Sequence, residues 1–285
     1  MYKKKKLNRV VLIGANSFIG KAVIKKFKTE KVKIILLKRE NIDLEKKQAI
    51  NKLTNFLKKN DTVIFIAAVA PVKNIEMLHQ NLVICNNVVL SLKIKKPRHL
   101  IYVSSDAVYS DSKKKINEKS ETKPTSLHGF MHLIRENMLN ELDCLKSFVR
   151  PTLVYGKNDP HNGYGPNKFI RCAQKNEKII MFGKGEERRD HIHVNNVADI
   201  VFQATINQIG GIINAVSGNV ISFYDIIKNL KKFYPNLKTK SLKRKGPMPH
   251  NGYRAFDISL LKKKFPKLSI IKLQNWIKKR EIYTA

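Results

Sequence analysis

The chain has 285 residues and 42% of them are hydrophobic, enough to bury the core of one large α/β domain with a smaller lobe, which excludes a disordered chain. Its 56 Lys and Arg against 22 Asp and Glu leave a net charge of +34, a balance that by itself fits nucleic acid, an acidic surface or small anionic substrates. The excess is mostly lysine in short runs at 3–6, 113–115 and 262–264, with no arginine-rich element interleaved with aromatics, so it reads as a solvated surface and no nucleic-acid partner is expected.

In chain order, apolar runs of strand length alternate with stretches of helical spacing. The first run, Val10–Ile13, is followed by Ala22, Val23, Ile24 and Phe27 at helical spacing, and further runs stand at 33–37, 62–67, 99–104 and 147–154. Strands alternating with helices predict βαβ units and a parallel sheet buried on both faces. Right-handed crossovers then make it an α/β, Rossmann-type doubly wound sheet. Past Gly156 the pattern loosens into a Gly, Pro and Asn-rich loop, a helix, a short strand at 179–182 and a lysine-rich segment with helices. The expected division is a nucleotide-binding half at 1–156 and, at 157–285, mostly a smaller substrate lobe with segments returning to the sheet. No run approaches about eighteen apolar residues, and the basic residues 1–6 lead into a strand rather than a leader core. A cytoplasmic protein without a membrane span is the expectation. Cys85, Cys144 and Cys172 are widely spaced without any CxxC, which argues against a disulfide framework or a zinc cage.

The segment Gly14-Ala-Asn16-Ser17-Phe18-Ile19-Gly20 stands between the first strand and the first helix. A pyrophosphate needs that context: Gly14 permits the tight turn, the helix N-terminus offers unpaired N–H groups and partial positive charge, and Gly20 permits close helix–strand packing. Ser17 stands where a middle glycine is usual. The second run ends in Lys38-Arg39 rather than in an acid that would hold ribose hydroxyls, which tilts the reading from NAD toward NADP. Asp61 reads as a turn residue before the third strand.

Further along, Ser104-Ser105-Asp106-Ala-Val-Tyr109 closes the fourth run, Arg150-Pro-Thr-Leu-Val-Tyr-Gly156 the fifth, and Gly183-Lys-Gly-Glu-Glu-Arg-Arg189-Asp-His-Ile-His-Val194 lies in the second half. With the glycine loop, Ala67-Ala68 and Asn81, these segments resemble in order the extended short-chain dehydrogenase/reductases, the NAD-dependent epimerase/dehydratase family. The resemblance implies an NAD(P)-dependent enzyme acting on a nucleotide-linked sugar by epimerisation, reduction or dehydration, and a homodimer formed through two helices. It implies a cofactor site at the glycine loop, Arg39, Ala67, Ala68 and Ser104. Ser105 takes the place of the residue that bonds the reacting oxygen. It further implies that Asn167 lies over the sugar and that Arg189 and Arg254 hold its diphosphate.

One segment departs from the family pattern. Where the family carries Pro-x-Ser-x-Tyr-Gly-x-x-Lys, this chain reads Pro124-Thr-Ser126-Leu-His128-Gly129-Phe-Met-His132, with both catalytic types replaced by histidine. A spacing of four puts His128 and His132 on one helical face, continued by Arg135 and Glu136, so that Glu136 is placed to orient His132. Histidine exchanges protons near neutral pH without the lysine that a tyrosine needs, so His128 is the expected acid/base, with Asp106 as a second proton-transfer group. Two other readings stay open: a cofactor-bound sensor or binding module without turnover, and a His-x-x-x-His metal pair with Asp106 as third ligand. On the substrate side, Arg189 has surface pairing with Glu186, Glu187 or Asp190 as its rival role. His191 and His193 alternate in a strand and Trp276 lies in a late helix; all three read as packing.

Overall fold

The computed structural model describes residues 9–279. Its first half runs β1 (Val10–Ile13), α1 (Phe18–Thr29), β2 (Ile35–Leu37), α2 (Ala49–Phe56), β3 (Thr62–Phe65), α3 (Ile75–Lys95), β4 (His99–Val103), a 3-10 turn at Asp106–Val108, α4 (Leu127–Asn140) and β5 (Leu145–Pro151). Then come β6 (Leu153–Tyr155), α5 (Pro166–Gln174), β7 (Ile179–Phe182), β8 (Arg188–His193), α6 (Val194–Asn207) and β9 (Gly211–Ala215). The chain closes with β10 (Val220–Ser222), α7 (Phe223–Lys231), β11 (Thr239–Leu242), β12 (Tyr253–Arg254), α8 (Ser259–Lys264) and α9 (Leu273–Lys278).

Six strands form one parallel sheet in the order β2-β1-β3-β4-β5-β9. Alternate residues of each strand point to opposite faces, and both faces are apolar, so each needs a helical layer. Val10, Leu12, Ile64 and Ile101 pack with Val23 and Phe27 of α1 and Val197 and Val201 of α6. Val11, Ile13, Val63, Phe65 and Leu100 pack on the other face with Leu53 of α2, Val88 and Leu92 of α3 and Leu139 of α4. Each such side chain contributes roughly 1.5–3 kcal/mol by leaving water. The chain goes from β1 outward to β2 and returns to β3 on the other side of β1. That reversal opens a crevice at the carboxyl ends of β1 and β3, where ligands of open α/β sheets bind.

Strand boundaries differ from the sequence reading where pairing partners change. The run at 147–154 is two strands: β5 pairs with β9 through Pro151, the Thr152 N–H still donates to the Ala215 carbonyl at 3.2 Å, and beyond it the chain turns away to pair β6 with β8. The run at 33–37 pairs with β1 only from Ile35. In the second half β9 returns to the large sheet beside β5. The smaller sheet β10-β8-β12, with β6 also on β8, carries its own core of Tyr155, Phe169, Ile226 and Trp276. Among the described residues no helix is long and apolar enough to cross a membrane, and the three cysteines are unpaired.

Candidate active site

The glycine loop is built by its own side chains. Ser17 caps α1, its Oγ accepting from the Gly20 N–H at 3.0 Å while donating to the Gly14 carbonyl at 2.9 Å. This accounts for the serine at the middle position, because the cap fixes the turn that a glycine would leave free. Gly14 has φ +103, and a Cβ there would stand 2.5 Å from the Ala67 nitrogen. Gly20 faces neither cavity described below; a Cβ on it would lie 2.3 Å from the Gly14 carbonyl oxygen, so its part is to let helix and loop meet.

Two cavities open on either side of this loop and share Asn16, Ser17 and Ala68. The smaller, about 240 Å³, is lined by Gly14, Arg39, Asp43, Glu45 and Ala67. The larger, about 590 Å³, takes in Phe18, Ile19, Ser104, Ser105, Asp106, His128, His132, Asn167 and Arg189. A small-molecule ligand of ordinary size fits such a space. The structure thus gathers these predicted residues along one crevice.

The strand end of β3 is held by a clamp that the sequence reading touched only in part. Asn81 on α3 accepts from the Val69 N–H at 3.0 Å and donates to the Val69 carbonyl at 2.9 Å. The wholly buried Arg135 on α4 donates to the Ala67 carbonyl at 2.8 Å and lies over the rings of Phe65 and Tyr102. Asp61 does more than turn the chain, receiving Arg9 Nε and Nη2 at 2.9 and 2.8 Å.

His128 reaches the crevice because α4 approaches the turn after β4 closely. A Cβ on Gly129 would lie 2.2 Å from the Ala107 carbonyl oxygen, so only glycine lets this helix seat against the turn carrying Ser105 and Asp106. Ser126 caps α4 through the Gly129 N–H at 3.1 Å. The His128 and His132 rings stand edge to face at 4.8 Å. Burial lowers the pKa of His128, opposed by the Asp106 carboxylate and aided by His161. His132 is held well below its usual range by burial, then by His128 and Arg135, so its ring is neutral. Tyr102, whose own ionisation burial pushes up, stays a phenol, and its hydroxyl is hydrogen-bonded to His132 Nδ1 at 2.7 Å.

Two expectations are corrected here. Glu136 does not orient His132; it is buried against Arg150, whose Nε donates to it at 2.9 Å, and the orienting group is Tyr102. Arg254, expected to hold a substrate diphosphate, is 1% exposed and does not line the cavity. Its Nε donates to Asp106 at 2.6 Å and another N–H to the Asp106 carbonyl, so it braces the turn instead. Asp106 is correspondingly held by a guanidinium. Arg189 lines the cavity with one N–H given to Glu187 at 3.0 Å and a buried Nε that has no partner among the described residues. Asn167 receives the Gly156 N–H at 3.1 Å. Arg39 is 67% exposed and paired with Glu45 at 3.0 Å. Among the described residues His128, His132 and Asp106 do not gather into a metal-ligand set.

Three further histidines line the larger cavity: His161, His191 and His250. Sequence reasoning places His191 in packing and passes over the other two, since loop positions without period carry no signal.

Comparison with known proteins bears on this arrangement. The sequence pattern of the NAD dependent epimerase/dehydratase family matches residues 10–215, well over half of the chain. The chain belongs to that family. A dTDP-D-glucose 4,6-dehydratase of Dictyostelium discoideum is 25% identical over 274 residues, covering 79% of this chain and 62% of that protein, so the chain spans under two thirds of that relative's length. The crystal structure of a Thermus thermophilus UDP-glucose 4-epimerase in complex with NAD matches with a TM-score of 0.82 at 19% identity, covering 95% of this chain and 97% of that one. A Naegleria fowleri GDP-L-fucose synthetase bound to NADP matches with a TM-score of 0.81 at 18% identity, covering 98% and 93%. These likenesses show the fold, a Rossmann-type α/β sheet.

Proposed function

We propose that this chain is an NAD(P)-dependent enzyme that acts on a nucleotide-linked sugar, with His128 as the acid/base in place of a tyrosine. The observation that carries the proposal is the crevice itself: two cavities joined at a capped glycine loop, with Ser105, His128 and His132 grouped in the larger one.

A dinucleotide fits the residues present. Gly14 lets the loop turn tightly against the Ala67 backbone between the two cavities, and the buried Ser104 Oγ at the next strand end has no partner among the described residues. Gly14, Asn16, Ser17, Phe18 and Ile19 would hold the pyrophosphate region, Ala67 and Ala68 the floor, and Arg39 the adenosine end. Bound there, the nicotinamide supplies a hydride acceptor and donor for a sugar carbon. Arg39 belongs to an exposed ion pair worth about 0–1 kcal/mol, which is little to give up for a 2′-phosphate, so NADP is the favoured form.

The remaining chemistry belongs to the chain. Ser105 Oγ already accepts from the Ala107 N–H at 3.2 Å and so keeps its own hydrogen for the sugar oxygen. His128 exchanges that oxygen's proton. The hydrogen bond it receives from the Val72 N–H, to Nδ1 at 3.5 Å, is too long to fix a tautomer, and the Asp106 carboxylate favours the imidazolium that forms. His132, held by Tyr102, presents a neutral ring. Asn167 and Arg189 bind the nucleotide-sugar. The outward pairs Leu90 and Ile94 on α3 and Phe130 and Ile134 on α4, between 38% and 63% exposed, support a homodimer through these helices.

Calorimetric titration with NAD and NADP, followed by UDP-, GDP-, CDP- and dTDP-sugars, tests the reading. Dinucleotide binding with a sugar-dependent product is expected; failure to bind either dinucleotide overturns it. Dinucleotide binding without turnover of any sugar would favour a sensor.

A further inference from the structure

A second proton-handling group faces the same cavity from the C-terminal half. His250 lines the cavity, whereas Asp111 and Arg254 stand behind it and do not. His250 Nδ1 is in contact with Asp111 Oδ1, and Arg254 Nη1 lies 3.1 Å from that nitrogen and 3.3 Å from the same oxygen. A carboxylate oxygen can only accept, so Nδ1 must carry the hydrogen, and the Arg254 N–H is served by Asp111. Nε2 is then the unprotonated nitrogen of the neutral ring. His250 and Asn251 have φ +53 and +51, in the left-handed region that residues other than glycine seldom occupy. Among the groups around it, burial, Arg189 and Arg254 lower the His250 pKa while Asp111 and Asp106 oppose them, so the ring is neutral near pH 7.

We propose that His250, positioned by Asp111, is a second acid/base group of this cavity, separate from His128, and that it removes a proton from the carbon beside the carbonyl of a nucleotide-linked keto sugar. In that step the carbon–hydrogen bond breaks, its electron pair passes into the enolate, and a bond forms between the proton and Nε2; the Asp111 carboxylate balances the imidazolium. Return of the proton restores the ketone. The inference rests on the nucleotide-sugar reading above and narrows it to a reaction with a proton transfer at carbon. The keto sugar is either formed in the same cavity or supplied by a sugar-oxidising or dehydrating step elsewhere.

The test uses the full chain and a dTDP-linked 4-keto-6-deoxy sugar in D2O. Nuclear magnetic resonance should show deuterium entering beside the carbonyl, at a rate that falls about 100-fold or more in His250→Gln. In the unliganded protein the His250 ring should show hydrogen on Nδ1, and Asp111→Asn should lose that preference and shift the pH profile of exchange. Binding of the sugar without exchange, exchange that survives His250→Gln, or hydrogen on Nε2 in the resting protein would each overturn the proposal while leaving the nucleotide-sugar reading intact. Absence of binding would overturn both.

Discussion

His128 is partly withdrawn from water, with a carboxylate close enough to favour its charged form and two imidazoles nearby, one of which disfavours it. The net shift is downward, so the neutral, proton-accepting ring is the form present at pH 7 and above. If it is the acid/base, kcat/KM should be level from about pH 7 to 9 and fall as the pH drops below about 6.5. A tyrosine-like rise through the alkaline range would exclude it. His128→Ala should lower turnover by about 10²–10⁴ with dinucleotide affinity kept, as steady-state rates and calorimetry on the same preparation would show. Arg39→Ala should weaken NADP more than NAD; equal losses would remove Arg39 from the choice of cofactor. The spacing of four made His128 and His132 legible as a pair, since a helix puts such positions on one face. Arg254 was misplaced because its partner Asp106 lies 148 positions away, and no local pattern announces a buried ion pair of that span. Glu136 was misassigned for the same reason: its arginine belongs to β5, not to α4.

At the scale of elements, the site depends on how closely α4 meets the turn after β4. Gly129 is the contact, and the carbonyl of Ala107 is backbone that cannot swing aside. Gly129→Ala should therefore push α4 off the turn and lower turnover at least tenfold, a loss of about 1.4 kcal/mol in transition-state binding, while circular dichroism still reports a folded chain. Unchanged turnover would show that the seating of α4 does not matter to the chemistry. Strand and helix order was legible because burial on both faces writes continuous apolar runs. The exact ends were not, because they depend on partners: β2 starts where β1 offers a register, and β5 gives way to β6 where the chain leaves β9 for β8. His250 was out of reach from sequence, standing in a short turn whose place over the cavity is set by β12 pairing with β8.

Across the whole molecule, buried histidines tie stability to pH. Burial lowers His99 to about 4 and His191 to about 3, so both are neutral in the fold over a range where they are charged in the unfolded chain. The unfolded state then binds more protons below about pH 6.5, and stability should fall as the pH drops from there toward about 4. Differential scanning calorimetry across that range checks this, and a Tm that holds steady or rises on acidification would contradict it. The exposed pairs on α3 and α4 make a second claim at this scale. Ile94→Glu with Phe130→Glu should convert a dimer to a monomer in sedimentation velocity, and a wild type that sediments as a monomer would refute the interface. The measurement that bears most directly on the central claim follows the nicotinamide absorbance after the purified chain, loaded with oxidised NAD(P), is mixed with each nucleotide-sugar. A sugar-dependent rise in reduced cofactor, slowed by about a hundredfold or more in His128→Ala, is the result expected of a redox site run by histidine. No change with any sugar, or an equal change in the variant, would contradict it.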